Sequence, residues 1–130
     1  MRWWIYAALI AGVSDYAGAA EPRPVRVYGY QDALSTEFAR GLTQALIVLG
    51  GFTRAPEQQP ATQLSLLLGR NISVLSGNPR LIRYDIEFRD SDGATLGYIS
   101  DTCQKVQFTG CFAPVVARAR QISDAMPAKR

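Results

Sequence analysis

At 130 residues the chain has room for one small domain and not two. Its 14 Lys and Arg against 11 Asp and Glu give a net charge of +3, with no basic run longer than Lys129-Arg130, so nothing in it forms a nucleic-acid-binding stripe. It has no histidine, which removes the usual base of a serine nucleophile and the commonest metal ligand.

The chain opens on the pattern of a secretory signal peptide over residues 1–19. Met1-Arg2 is a basic start, Trp3 to Val13 is uncharged and apolar, and Ala17-Gly18-Ala19 is a small-x-small cleavage site. The apolar run is about half of the roughly 20 residues that a membrane-spanning helix needs, and Asp15 closes it. No cysteine sits at the cleavage site to carry a lipid anchor. The expectation is a periplasmic or secreted protein with no membrane span after cleavage. Residues 20–24, with Pro22 and Pro24, form an extended lead-in; 25–126 form a single domain; 127–130 fray.

Val25 to Tyr30 reads as a strand with Val25 and Val27 on one face. Leu34, Phe38, Leu42, Ala45, Leu46 and Leu49 recur at steps of three and four, the apolar stripe of a helix that Asp32 or Ser35 can cap. Gly50-Gly51 ends it, because glycine accepts the left-handed conformation common at helix C-termini. Phe52 to Arg54 offers a short strand. Leu64, Leu66 and Leu68 alternate with Ser65 and Leu67, a strand buried on both faces. Ile72 to Leu75 either continues it past a bulge or turns back as a new strand.

The clearest alternation follows. Ile82, Tyr84, Ile86 and Phe88 share one face, and Arg83, Asp85, Glu87 and Arg89 the other, as in a half-buried antiparallel strand. Asp90 to Gly93 makes a hairpin turn, and Thr95 to Thr102 pairs back. After Cys111, the residues Phe112, Val115, Val116, Ala119 and Ile122 line a second helix with Pro114 in its first turn. The order β-α-(β)-β-β-β-α predicts an α+β fold: a two-layer sandwich, two helices on one face of a mostly antiparallel sheet.

Cys103 and Cys111 are the only cysteines, and in an exported chain an even pair reads as a disulfide. A redox pair would want C-x-x-C spacing, and a metal site would want more ligands. Asp85 and Glu87 form a carboxylate pair that a glycosidase could use, but their alternation with Arg83 and Arg89 fits a solvated row of cross-strand ion pairs. Asp90-x-Asp92-Gly93 resembles the start of a calcium loop, with the glycine displaced and Ala94 at the third acidic position; a turn is expected. A Ser–Lys pair has only Lys105 and Lys129 to draw on, and Asn71-Ile72-Ser73 is a glycosylation sequon. Arg70, Arg80, Arg83 and Arg89 could gather into an anion-binding surface. Tyr28 and Tyr30 are candidate binding residues; with Tyr98 they either form an exposed aromatic surface or lie beneath the helices, the commoner placement for sheet tyrosines.

Gly50-Gly51-Phe52 after the first helix, and Asp90 to Gly97 (DSDGATLG) at the hairpin, resemble the N-terminal α/β domain of the TolB family of bacterial envelope proteins. The chain departs from that family in lacking its propeller and in adding Cys103 and Cys111. The resemblance implies a non-catalytic envelope protein working by protein–protein contact, and assigns no site residue. The functional expectation is therefore a small exported assembly factor or inhibitor, with no cofactor and an acidic or glycan-bearing protein partner. The alternative is a small glycan-directed hydrolase using Asp85 and Glu87. Contact is expected on the row Arg83, Asp85, Glu87 and Arg89, or at an edge strand near Val25 to Tyr30.

Overall fold

The computed structural model describes residues 22–69, 72–75, 80–104 and 108–127. The expected signal peptide at 1–19, Arg70, Asn71, Lys105 and the tail at 128–130 lie outside them. Within them run β1 (Pro24–Tyr28), α1 (Ala33–Val48), β2 (Thr53–Arg54), β3 (Leu64–Leu68), β4 (Ser73–Leu75), β5 (Leu81–Arg89), β6 (Thr95–Gln104) and α2 (Phe108–Ala125). The two-layer α+β expectation holds.

Asp32, not Ser35, caps α1: its carboxylate accepts the Ser35 N–H at 3.0 Å, a bond that holds it below the usual carboxylate range. Phe38, Leu42 and Leu46 are wholly buried. Leu49, the last residue of the predicted stripe, is 66% exposed, because the helix stops at Val48 and Leu49 is its C-cap. Gly51 then takes φ 73°, and the Phe52 N–H returns to the Leu46 carbonyl at 3.2 Å. Phe52 is thereby turned back into the core.

A helix between two strands carries the chain back to the same end of the sheet, so the strand that follows can pair in parallel. Both β2 and β3 do so, one on each side of β1. β2 covers β1 at Pro24 and Val25, while from Arg26 to Tyr28 β3 alone pairs with it among the described residues, so the expected edge is shortened at its start. The sheet is mixed: parallel across β2-β1-β3, antiparallel from β3 onward. Leu68 faces Ile86 and Ser73 faces Arg83, so β3 and β4 lie along the same side of β5. Thus Ser73–Leu75 does not turn back; it resumes the line that breaks after Gly69. A Cβ on Gly69 would sit 2.8 Å from that of Asp85, so only glycine allows the close approach there. On its other side β5 pairs with β6 along its whole length.

One sheet face is apolar. Val25, Leu64, Leu66, Leu68, Ile82, Tyr84, Ile86 and Phe88 share a core with both helices. Phe38 is the hub, its ring 5.2 Å from Tyr84 in the sheet and 5.2 Å from Phe112 in α2. Burial, with Asp101 nearby, pushes the Tyr84 hydroxyl up to about 12. The two helices meet over Gly41, where a Cβ would lie 2.8 Å from the Phe112 ring. The inner residues of α2 are as predicted, but its start is not. The helix begins at Phe108, so Cys111 is in its first turn and Pro114 in its second. Pro114 has no N–H for the Gly110 carbonyl, and exposed Gly110 leaves that carbonyl access to water. Cys103 and Cys111 are disulfide-bonded, Cα atoms 5.4 Å apart, tying the end of β6 to that first turn.

Neither helix has a basic residue in its last turn, and each receives an arginine from elsewhere. Arg120 donates to the Gly50 carbonyl after α1 at 2.8 Å. Arg23 donates to the Ser123 hydroxyl at 2.7 Å, the Thr62 carbonyl at 2.8 Å and the Ser123 and Met126 carbonyls at 3.3 and 3.5 Å. A cation placed there satisfies orphan carbonyls and opposes the helix dipole. Arg23→Met, which keeps the stem and removes the donors, is expected to cost about 2 kcal/mol in urea unfolding. No loss would mean that water replaces these bonds freely.

Candidate functional site

Both helices pack on the apolar side, so the other side of the sheet is the open face. Period-two geometry decides what it carries. From β5 it receives Arg83, Asp85, Glu87 and Arg89, and from β1 Arg26 and Tyr28. The registers align Tyr28, Leu67, Glu87 and Tyr98 in one row across four strands, and Arg26, Ser65, Arg89 and Thr95 in the next. Tyr28 is 42% and Tyr98 66% exposed; Tyr30, just past β1, is 52% exposed. The tyrosines are therefore exposed and not beneath the helices. The signal was in the alternation, because the period that buries Val25 turns Tyr28 outward.

The loop from Ala55 to Gln63 borders this face at one end. Arg26 donates to the Ala55 and Pro56 carbonyls at 3.0 and 2.6 Å. Gln59 donates to the Ser91 carbonyl, and the Ser91 hydroxyl to that of Ala61. Under the loop, Gln63 is fully buried and its amide donates to the Ser65 hydroxyl at 3.0 Å and the Tyr28 hydroxyl at 3.3 Å. Loop and sheet thus hold Tyr28 in place while its ring stays exposed.

Glu87 is the most constrained charge on the face. Arg89 grips both its oxygens, at 2.7 and 3.1 Å, and the Thr95 hydroxyl donates at 2.6 Å. These bonds hold its carboxyl below the usual carboxylate range. Asp85, two residues away on the same side, is exposed beside Gly69 and faces Ser100. The predicted residues share one open side as a strip, but not as cross-strand pairs: among the described residues the ion pair is Arg89–Glu87, within β5, and Arg83 and Asp85 are exposed. A general acid needs the reverse of what Glu87 has, a raised pKa in a sheltered site.

The other sequence candidates separate from this strip. Arg80 and Arg83 are exposed, but Arg89 is engaged by Glu87, and Arg70 is outside the described residues. The Asp90 carboxylate accepts the Asp92 and Ala94 N–H groups, each at 2.9 Å, so it builds the turn, which closes on Gly93 at φ 87°. Among the described residues no cluster of His, Cys, Asp and Glu is placed to hold a metal, and no helix is long and apolar enough to cross a membrane. A cavity of about 330 Å³ opens on the helix side of the hairpin, lined by Arg23, Asp90, Leu96, Arg118, Ile122 and Met126. It contains none of the predicted site residues, and its Arg23 is committed to main-chain carbonyls. Sequence reasoning left Thr95 out and did not join Arg26 or Tyr98 to the charged row; strand register, which no local pattern encodes, is what brings them to the strip. Neither a protein-family model nor a curated protein matches the chain.

Proposed function

We propose that this chain is an exported, non-catalytic binding module that works by protein–protein contact in the periplasm or outside the cell. The observation that carries the reading is the open sheet face, where exposed Tyr28 and Tyr98 bracket the Glu87–Arg89 pair on a helix-backed sheet. Tyrosines supply large contact area with few rotors to freeze, and mixed charges between them set encounter and register. Net charge +3 favours an acidic or glycan-bearing partner. The leader pattern at 1–19 and the disulfide, which persists in oxidising compartments, support export. The resemblance to the TolB N-terminal domain points to the same mode, in assembly or in inhibition of a secreted enzyme. Against the hydrolase reading stands Glu87, ionised and paired with Arg89.

Affinity capture from an envelope extract tests it. Arg83→Glu/Arg89→Glu is expected to abolish capture of the specific partner at low and high salt, while Arg40→Glu, on the exposed side of α1, leaves it intact. Capture unchanged by the double reversal would exclude the open face. Glycan hydrolysis lost in Asp85→Ala or Glu87→Ala would replace the reading with the enzymatic one.

A further inference from the structure

The two edges of the sheet are built differently. The β2 edge has two residues and runs into Pro56, which is how proteins blunt an edge. The β6 edge has ten residues, with no Lys, Arg or Pro and only Asp101 charged. Among the described residues only β5 pairs with it.

The main-chain groups free on that edge can be assigned. The Gly69 N–H bonds the Asp85 carbonyl at 2.6 Å, so the backbone polar groups of Asp85 point towards β3. In an antiparallel ladder, facing residues alternate between bonded and non-bonded pairs. Ser100, which faces Asp85 across β5–β6, therefore turns its own N–H and C=O away from β5. By the same alternation Tyr98 and Thr102 do likewise; the Thr102 N–H is held by the Asp101 carboxylate at 2.8 Å, so pairing there must displace that side chain, while no other strand among the described residues takes the outward groups of Tyr98 and Ser100 or the Thr102 carbonyl.

We propose that the β6 edge pairs antiparallel with β6 of a second copy of this chain, on a two-fold axis through Ser100. This goes beyond the binding reading and does not depend on it. The outward groups of the two strands bond only in registers that match outward residues with outward residues. Centring on Ser100 sets Tyr98 opposite the partner's Thr102, an aromatic–β-branched pair made twice by symmetry. It also sets Asp101 opposite the partner's Ile99. Of the two neighbouring registers, centring on Asp101 faces two carboxylates, which opposes it, and centring on Ile99 sets Tyr98 opposite Ser100 and so forgoes the Tyr98–Thr102 pair. The edge carries one acid and no base, so two copies meet without the repulsion that the basic remainder of the chain would give. Pairing there joins two six-stranded sheets edge to edge and makes their open faces continuous.

Light scattering and sedimentation of the mature protein over a dilution series test this, with circular dichroism confirming the fold of each variant. Wild type is expected to be a concentration-dependent dimer. Ser100→Pro removes an outward N–H that β5 does not use, and is expected to give a folded monomer. Ser100→Lys and Ser100→Glu keep that N–H but place like charges on the axis; each alone is expected to be monomeric and their mixture dimeric. A wild type monomeric at every concentration overturns the proposal, as does a dimer that survives both Ser100→Pro and Ser100→Lys. Mixed charge variants that fail to associate overturn the register on Ser100. A monomer that still captures an envelope partner through Arg83 and Arg89 sinks the dimer alone, whereas a dimer without such capture sinks the binding reading alone.

Discussion

Phe38→Ala is expected to lower the unfolding free energy by about 3–5 kcal/mol. Phe38 has no solvent exposure and touches both Tyr84 of the sheet and Phe112 of the second helix, so truncation opens a cavity where three elements meet. A single domain has only about 5–15 kcal/mol to lose, so a large part of the stability should vanish. Leu49→Ala is the control. Leu49 lies on the same helical stripe in sequence but is mostly exposed, and its loss should fall within about 0.5 kcal/mol. Urea unfolding at constant m-value separates the two. Equal losses would mean that the first helix is rotated from the packing described.

The second large effect is expected from the disulfide. Cys103→Ala/Cys111→Ala should cost about 2.5 kcal/mol, the chain entropy that a loop this short releases when opened. Alanine is the better replacement because Cys111 is buried, and serine would bury an unpaired hydroxyl. The bond joins the last strand to the first turn of the terminal helix, so amide exchange should rise first from Cys111 to Val116 while β5 stays protected. Stability unchanged between oxidised and reduced protein would remove the disulfide from the forces that dock that helix.

What the sequence reveals here depends on the range of the information. Phe38-Leu42-Leu46 and Ile82-Tyr84-Ile86-Phe88 are legible because burial imposes a helical or strand period on neighbouring residues. The Asp90–Gly93 turn is legible because its carboxylate and its positive φ are local requirements. Strand order is not local. Nothing within Val25 to Tyr28 indicates that Thr53–Arg54 will cover the start of one side of it and Leu64–Leu68 the other. The early start of the second helix had a signal in Phe108, four residues before Phe112 and in step with the stripe, but Thr109 and Gly110, weak helix formers, interrupt the pattern there. The charged strip at Arg83 to Arg89 is readable from alternation alone, but its tyrosine borders need the register of four strands.

The claim that the open face is the contact surface is most directly tested by site-specific photocrosslinking in the producing cell. A photoreactive residue in place of Tyr98 lies on that face, and one in place of Glu37 lies on the exposed side of the first helix. A discrete crosslinked protein product from position 98 and none from position 37 is the predicted result. Crosslinks from position 37 with none from position 98 would contradict it.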